Sequence, residues 1–250
     1  MSIALMAVAF VFTVVLFFYS ASDLRVPDQP IELRDSIFAF ILLLMWSSMA
    51  SVLVTMTTDT PESWHLAGSQ SLVNGVIGAS VGGALILMFV LRLVSASELG
   101  LCRPQQKWWT VACLSVVCFV ALSWVWRALL VGVGVDSDQQ LRVALSTHWP
   151  GPLALLIVGY SVFLAPVVEE VLFRGLLLGA LVRRWGQWSG IIISSILFGL
   201  MHLSDPWVIP PLMVLGIVLG WLTVRSGSLW PAILAHTLNN VIAVISGVWG

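Results

Sequence analysis

Charge is what this sequence has least of. Asp, Glu, Lys and Arg make up 9% of its 250 residues, and hydrophobic residues make up 59%. Soluble domains carry about 25% charged and about 45–50% apolar residues. The mean hydropathy is +1.02. A soluble fold of this size would still leave roughly a quarter to a third of its chain surface in water, so lipid is the expected solvent. A basic surplus is also missing. The net charge of −1 excludes the electrostatic footprint of a nucleic-acid binder. Cysteines are few: Cys102, Cys113 and Cys118 are odd in number and form no C-x-x-C pair. That excludes a disulfide framework or a cysteine-based zinc site, and the three read as buried structural thiols. Met1 to Ser20 contains no Lys or Arg. A signal peptide needs a positive n-region, so the first apolar run is expected to stay as a span.

Long apolar runs are what the chain does have. A spanning helix takes about 20 mostly apolar residues. Candidates lie at 2–20, 36–56, 71–94, 108–130, 152–182, 189–203, 207–224 and 231–249. The expected fold class is therefore all-α, a polytopic transmembrane bundle of about eight spans. The expected division is 1–150 for N-terminal spans and 151–250 for a domain carrying the chemistry. Turn residues such as Asp28-Gln29-Pro30, Thr60-Pro61-Glu62-Ser63 and Ser226-Gly227-Ser228 separate the runs. No internal repeat of the kind built into many transporters is visible.

Orientation follows from Lys and Arg. The odd-numbered loops hold Arg25, Arg34, Arg92, Arg103, Lys107, Arg183, Arg184 and Arg225, and the even-numbered loops hold only Arg127 and Arg142. The odd loops are expected in the cytoplasm of a prokaryotic cell membrane. Trp64, Trp108, Trp109, Trp185, Trp188, Trp207 and Trp230 lie near span ends, where indole rings suit the headgroup region.

Several polar residues are set aside. His65 and His148 read as solvent and interface contacts. The Asp136/Asp138 pair offers too few oxygens for calcium. Gly78, Gly82 and Gly83 read as close-packing positions, and Met45, Met49 and Met56 as core or lipid contacts.

Polar residues inside the last hundred positions are different. A charge at the bilayer centre costs about 2.5–3.5 kcal/mol on insertion scales, and such groups usually face inward, pair and serve function. Glu169-Glu170 and Arg174 lie deep in the 152–182 run. Glu170 and Arg174, four apart on a helix, share a face and can pair. Glu169 points about 100° away and lacks a local cation, which suits a general base. His202 lies near the end of the next run, four residues after Phe198. His236 and Asn240, again four apart, project from one face of the last run. Peptide hydrolysis needs a water, a base for its proton and donors for the developing oxyanion. These groups come from three helices and could supply all three.

Glu-Glu-x-x-x-Arg, then Phe-x-x-x-His, then His-x-x-x-Asn, in this order on successive apolar runs, resembles the CAAX-protease and bacteriocin-processing (ABI) family. The similarity covers about 150–245. It implies an all-helical intramembrane endopeptidase acting on a peptide or prenylated, CAAX-type protein. By position, it implies catalytic roles for Glu169, His202, His236 and Asn240: Glu169 and His202 on the water, His236 and Asn240 on the oxyanion. Glu170, Arg174 and Phe198 support them. The family has been described both as metal-independent, glutamate-dependent and as metal-dependent. No cofactor is the favoured expectation. The alternative is zinc on Glu169, His202 and His236, although no H-E-x-x-H helix is present. A non-catalytic scaffold or bacteriocin-immunity protein retaining the fold is the competing function.

Overall fold

The structure is a computed structural model, which describes residues 82–83, 87–88, 90–91, 94–135, 151, 155, 158–202 and 206–249. The spans expected at 2–20 and 36–56 and most of 71–94 lie outside these residues, as do His65, His148, Asp136, Asp138 and Gly78. Among the described residues the chain is helical, with no strand.

Helix α1 runs Lys107–Gly132. A long helical rod follows in four stretches. A π-helical segment, Tyr160–Leu164, leads into α2, Ala165–Glu170. A second π-helical segment, Val171–Leu178, leads into α3, Gly179–Trp185. The rod ends at Gly186, whose φ of 86° suits a residue without a Cβ. Helices α4, Gln187–Leu200, α5, Ile209–Ser226, and α6, Trp230–Trp249, complete the set. The expected 108–130, 207–224 and 231–249 runs agree with α1, α5 and α6 to within a few residues. The 189–203 run is shorter than expected: α4 stops at Leu200, and His202 sits in the turn beyond it, its N–H donating to the Gly199 carbonyl. Pro206 opens a 3-10 turn, Pro206–Val208, and Pro210 and Pro211 fall in the first turn of α5, where a missing N–H costs no hydrogen bond.

The first π segment has a local cause. Proline has no N–H and crowds the carbonyl four residues back, so Pro166 disfavours ordinary α-helix just before it. The Ala165 N–H reaches back five residues to the Tyr160 carbonyl. The next bond in that pattern would join the Ser161 carbonyl to the N–H of residue 166, which proline lacks. A bare carbonyl at this depth must find another donor.

The rod is the centre of the fold. Val171, Leu172, Phe173, Leu176, Leu177 and Leu178 are all buried, as befits a helix that is apolar all round. It packs against α4, α5 and α6, and α1 lies on α5 and α6. Small residues permit the closest approaches. A Cβ at Gly216 of α5 would stand 2.9 Å from the Ser195 Cα of α4, and one at Gly190 would stand 2.9 Å from the Val182 backbone nitrogen. Gly83, expected to serve packing, is buried, and a Cβ there would meet Val168 at 3.2 Å.

Outside surfaces are apolar. On α1, Leu114, Val117, Trp124, Val125 and Leu129 are all exposed, a patch too large for water to tolerate comfortably. Helices Lys107–Gly132 and Pro206–Ser226 are long and apolar enough to cross a membrane, and Gln187–Leu200 and Trp230–Ser246 are shorter apolar helices. Trp185, Trp188, Trp207 and Trp230 are exposed at helix ends, as anticipated. The cysteines correct the sequence reading: Cys102, Cys113 and Cys118 are all exposed. Cys113 and Cys118 lie on the outward side of α1, where a thiol faces lipid as readily as it faces core. Cys102 lies in the loop before α1, its thiol near the Gly227 carbonyl at 3.0 Å.

Candidate active site

Four charged or ionisable side chains meet where the rod passes α6. Glu170 ends α2 and is fully buried. Arg174, one turn on, is 2% exposed and donates from Nη1 to Glu170 Oε1 at 2.9 Å. The expected i,i+4 pair is therefore formed. It sits in a dry interior, where a pair survives only with good geometry and further partners. Arg174 Nη2 reaches the Gly216 carbonyl of α5 at 3.4 Å, and its guanidinium lies over the Phe198 ring at 4.5 Å. Such a stacked cation gains from the ring quadrupole most when desolvated.

His236 of α6, itself 4% exposed, closes the cluster. Its Nδ1 hydrogen-bonds with Glu170 Oε1 at 2.8 Å. Its Nε2 faces Glu169 Oε2 at 3.8 Å. One oxygen of Glu170 thus serves both Arg174 and His236. Glu170 Oε2 and Arg174 Nε have no hydrogen-bond partner among the described residues. Glu169 has a different setting: its side chain is 26% exposed, on the open side of the cluster, while Glu170 is closed in. Two adjacent carboxylates are split by helical geometry into one internal group and one accessible group.

The other expected site residues divide. Phe198 of α4 is buried and sits between both histidines, with ring centroids 5.7 Å from His202 and 5.6 Å from His236. It also meets Phe173 edge-on at 5.2 Å. His202 is partly buried, and its Nδ1 is 3.2 Å from the Phe198 carbonyl. It reaches the cluster through the Phe198 ring. The short α4 ends beside the cluster, which leaves both histidines against the one phenyl ring. Asn240 donates from Nδ2 to the Ser161 carbonyl at 2.8 Å, the group that Pro166 leaves bare. An amide nitrogen has two hydrogens, so one remains for another acceptor. Ser161 and Pro166 were not singled out from the sequence. A proline four residues before Glu170 inside an apolar run was the available signal.

Among the described residues no three His, Cys, Asp or Glu side chains are grouped as metal ligands. His236 has both ring nitrogens turned to carboxylates, one of them tied to Arg174. Of the alternative zinc set, His236 Nε2 lies 3.8 Å from Glu169 Oε2, and His202 stands against the Phe198 ring, as His236 does.

Residues 150–242 match the family described as "Type II CAAX prenyl endopeptidase Rce1-like". The matched stretch covers all three motifs on which the resemblance to the CAAX-protease and bacteriocin-processing family rests. The protein named "Putative membrane peptidase YdiL" of Bacillus subtilis is 28% identical over 114 residues, 46% of this chain and 45% of that protein. The chain thus spans less than half of that relative. The "UPF0177 protein YxdF" of Lactococcus lactis subsp. lactis is 23% identical over 163 residues, 63% of this chain and 90% of that protein. An "Uncharacterized 24.3 kDa protein" of Escherichia coli is 32% identical over 88 residues, 34% of this chain and 41% of that protein. No solved structure matches. The Rce1-like match and the two membrane-length apolar helices identify a membrane protein.

Proposed function

We propose that this Rce1-like chain is an intramembrane endopeptidase that hydrolyses a peptide bond of a peptide or prenylated protein. The observation that carries the reading is the convergence of Glu169, Glu170, Arg174 and His236 where the apolar rod meets α6, with one carboxylate left accessible. A buried charge cluster with one open face is what a hydrolytic site in lipid requires. Glu169 takes a proton from water as the water oxygen attacks the scissile carbonyl. His202 flanks the water from the far side of Phe198. His236 and the second hydrogen of Asn240 face the developing oxyanion. Glu170 and Arg174 hold the arrangement from behind. The chain's long apolar exterior supports a multi-pass location in a prokaryotic cell membrane.

The test is cleavage of a fluorogenic prenylated peptide by the full chain in liposomes. Glu169→Ala and His202→Ala are expected to fold and to lose cleavage by about 100-fold or more, the usual worth of a general base. Cleavage at the wild-type rate by Glu169→Ala would remove the assigned base. Persistence of the cellular phenotype with Glu169→Ala would favour a scaffold or immunity role.

A further inference from the structure

Glu170 accepts from Arg174, and a carboxylate held by a guanidinium only accepts hydrogen bonds. The 2.8 Å contact between its Oε1 and His236 Nδ1 therefore places a proton on Nδ1. His202 meets the same constraint, because its Nδ1 is 3.2 Å from the Phe198 carbonyl, and a carbonyl has no hydrogen to give. Each imidazole thus has its Nδ1–H committed, and each neutral ring presents a bare Nε2. For His236 that bare nitrogen lies 3.8 Å from Glu169 Oε2. A bare nitrogen cannot donate to an oxyanion. It becomes a donor only after taking a proton.

We propose that Glu170, held by Arg174, is a positioning residue that locks His236 in the Nδ1–H tautomer, so that the proton Glu169 removes from water passes to His236 Nε2. This rests on the peptidase reading above. In sequence, a water O–H bond breaks, its proton goes to Glu169, and the water oxygen bonds to the carbonyl carbon. The proton then moves from Glu169 to His236 Nε2. The imidazolium, flanked by the Glu170 carboxylate, turns Nε2–H to the oxyanion and then gives that proton to the leaving nitrogen as the C–N bond breaks. His236 returns to its neutral form, and Glu169 to its carboxylate. The logic is that of a carboxylate orienting a histidine in a hydrolase triad, with a second carboxylate receiving the proton first.

The experiment is nitrogen NMR of the full chain in micelles, with only histidine labelled. The sequence has 4 histidines, so the His236 signals are found by difference from His236→Gln. Wild type is expected to show His236 protonated at Nδ1 and bare at Nε2. Glu170→Gln keeps an acceptor oxygen and loses the charge. It should keep that tautomer, while kcat falls by about 100-fold and KM stays within about twofold, since only proton transfer is impaired. The Glu170→Leu/Arg174→Leu pair removes both buried charges together and should convert His236 to a mixture of tautomers. A wild-type His236 protonated at Nε2, or an unchanged tautomer in the double variant, overturns the proposal. So does a Glu170→Gln enzyme of wild-type kcat. The spectra need no substrate, so they stand apart from the peptidase reading, which Glu169→Ala tests separately.

Discussion

Glu170 links two helices through a single atom. Its one oxygen joins the rod to itself through Arg174 and the rod to α6 through His236, all in an interior closed to water. Removing one member of such a pair leaves the other charge buried and alone, at about 3–5 kcal/mol. Arg174→Ala is therefore expected to lower the unfolding midpoint in detergent sharply. Arg174→Lys is expected to recover only part of the loss. A lysine carries the charge but cannot form the planar fork that reaches Glu170 and the Gly216 carbonyl while lying over Phe198. If thermal unfolding of Arg174→Ala matched wild type, the buried pair would have no structural worth. Glu169, a quarter exposed, should behave oppositely: its removal should leave the unfolding midpoint unchanged and abolish cleavage.

Among the elements, the Tyr160–Leu164 π segment shows sequence acting across the fold. Pro166 withholds the N–H that the Ser161 carbonyl would take, and Asn240 of α6 supplies the replacement. An unsatisfied polar group at this depth costs several kcal/mol. Asn240→Ala should therefore lose about 1–3 kcal/mol of stability, the usual worth of leaving a buried acceptor unpaired. Pro166→Ala restores a backbone N–H, so the Pro166→Ala/Asn240→Ala protein should regain most of that loss. The coupling can be read from the four unfolding midpoints of a double-mutant cycle. Strict additivity of the two substitutions would show that Asn240 does not stand in for the proline. The cycle also separates this latch from any duty on the oxyanion, because restored stability without restored cleavage would leave that duty intact.

Among the described residues, basic charge is polarised along the bundle. Arg103 and Lys107 stand at the start of α1, Arg183 and Arg184 at the end of the rod, and Arg225 at the end of α5. The loop before α1 is tied to the turn before α6: the Leu229 N–H donates to the Gly100 carbonyl at 2.8 Å, and the Ser228 hydroxyl donates to the Cys102 carbonyl at 2.6 Å. These basic residues therefore share one end of the bundle, and Arg127 and Trp207 mark the other, where the Trp126 indole donates to the Trp207 carbonyl. We expect the basic end to face the cytoplasm. Cys102 is exposed there, and Cys113 and Cys118 lie along the helix that would be in lipid. A membrane-impermeant maleimide should thus label Cys102 in inverted vesicles and leave intact cells unlabelled. Labelling in intact cells would reverse the orientation.

Much of this was legible in the residues themselves. Apolar runs bounded by turn residues announced α1, α5 and α6, because lipid permits only long, internally bonded segments. The Glu170–Arg174 pair followed from helical spacing, and the family resemblance from the order of three motifs. Tertiary structure decided the rest. Periodicity cannot say that both motif histidines lie against the Phe198 ring, that His236 turns one nitrogen to each glutamate, or that a proline's missing hydrogen is made good by an amide 79 residues away. Those facts depend on which faces of separate helices meet, and a one-dimensional pattern carries faces but not their partners.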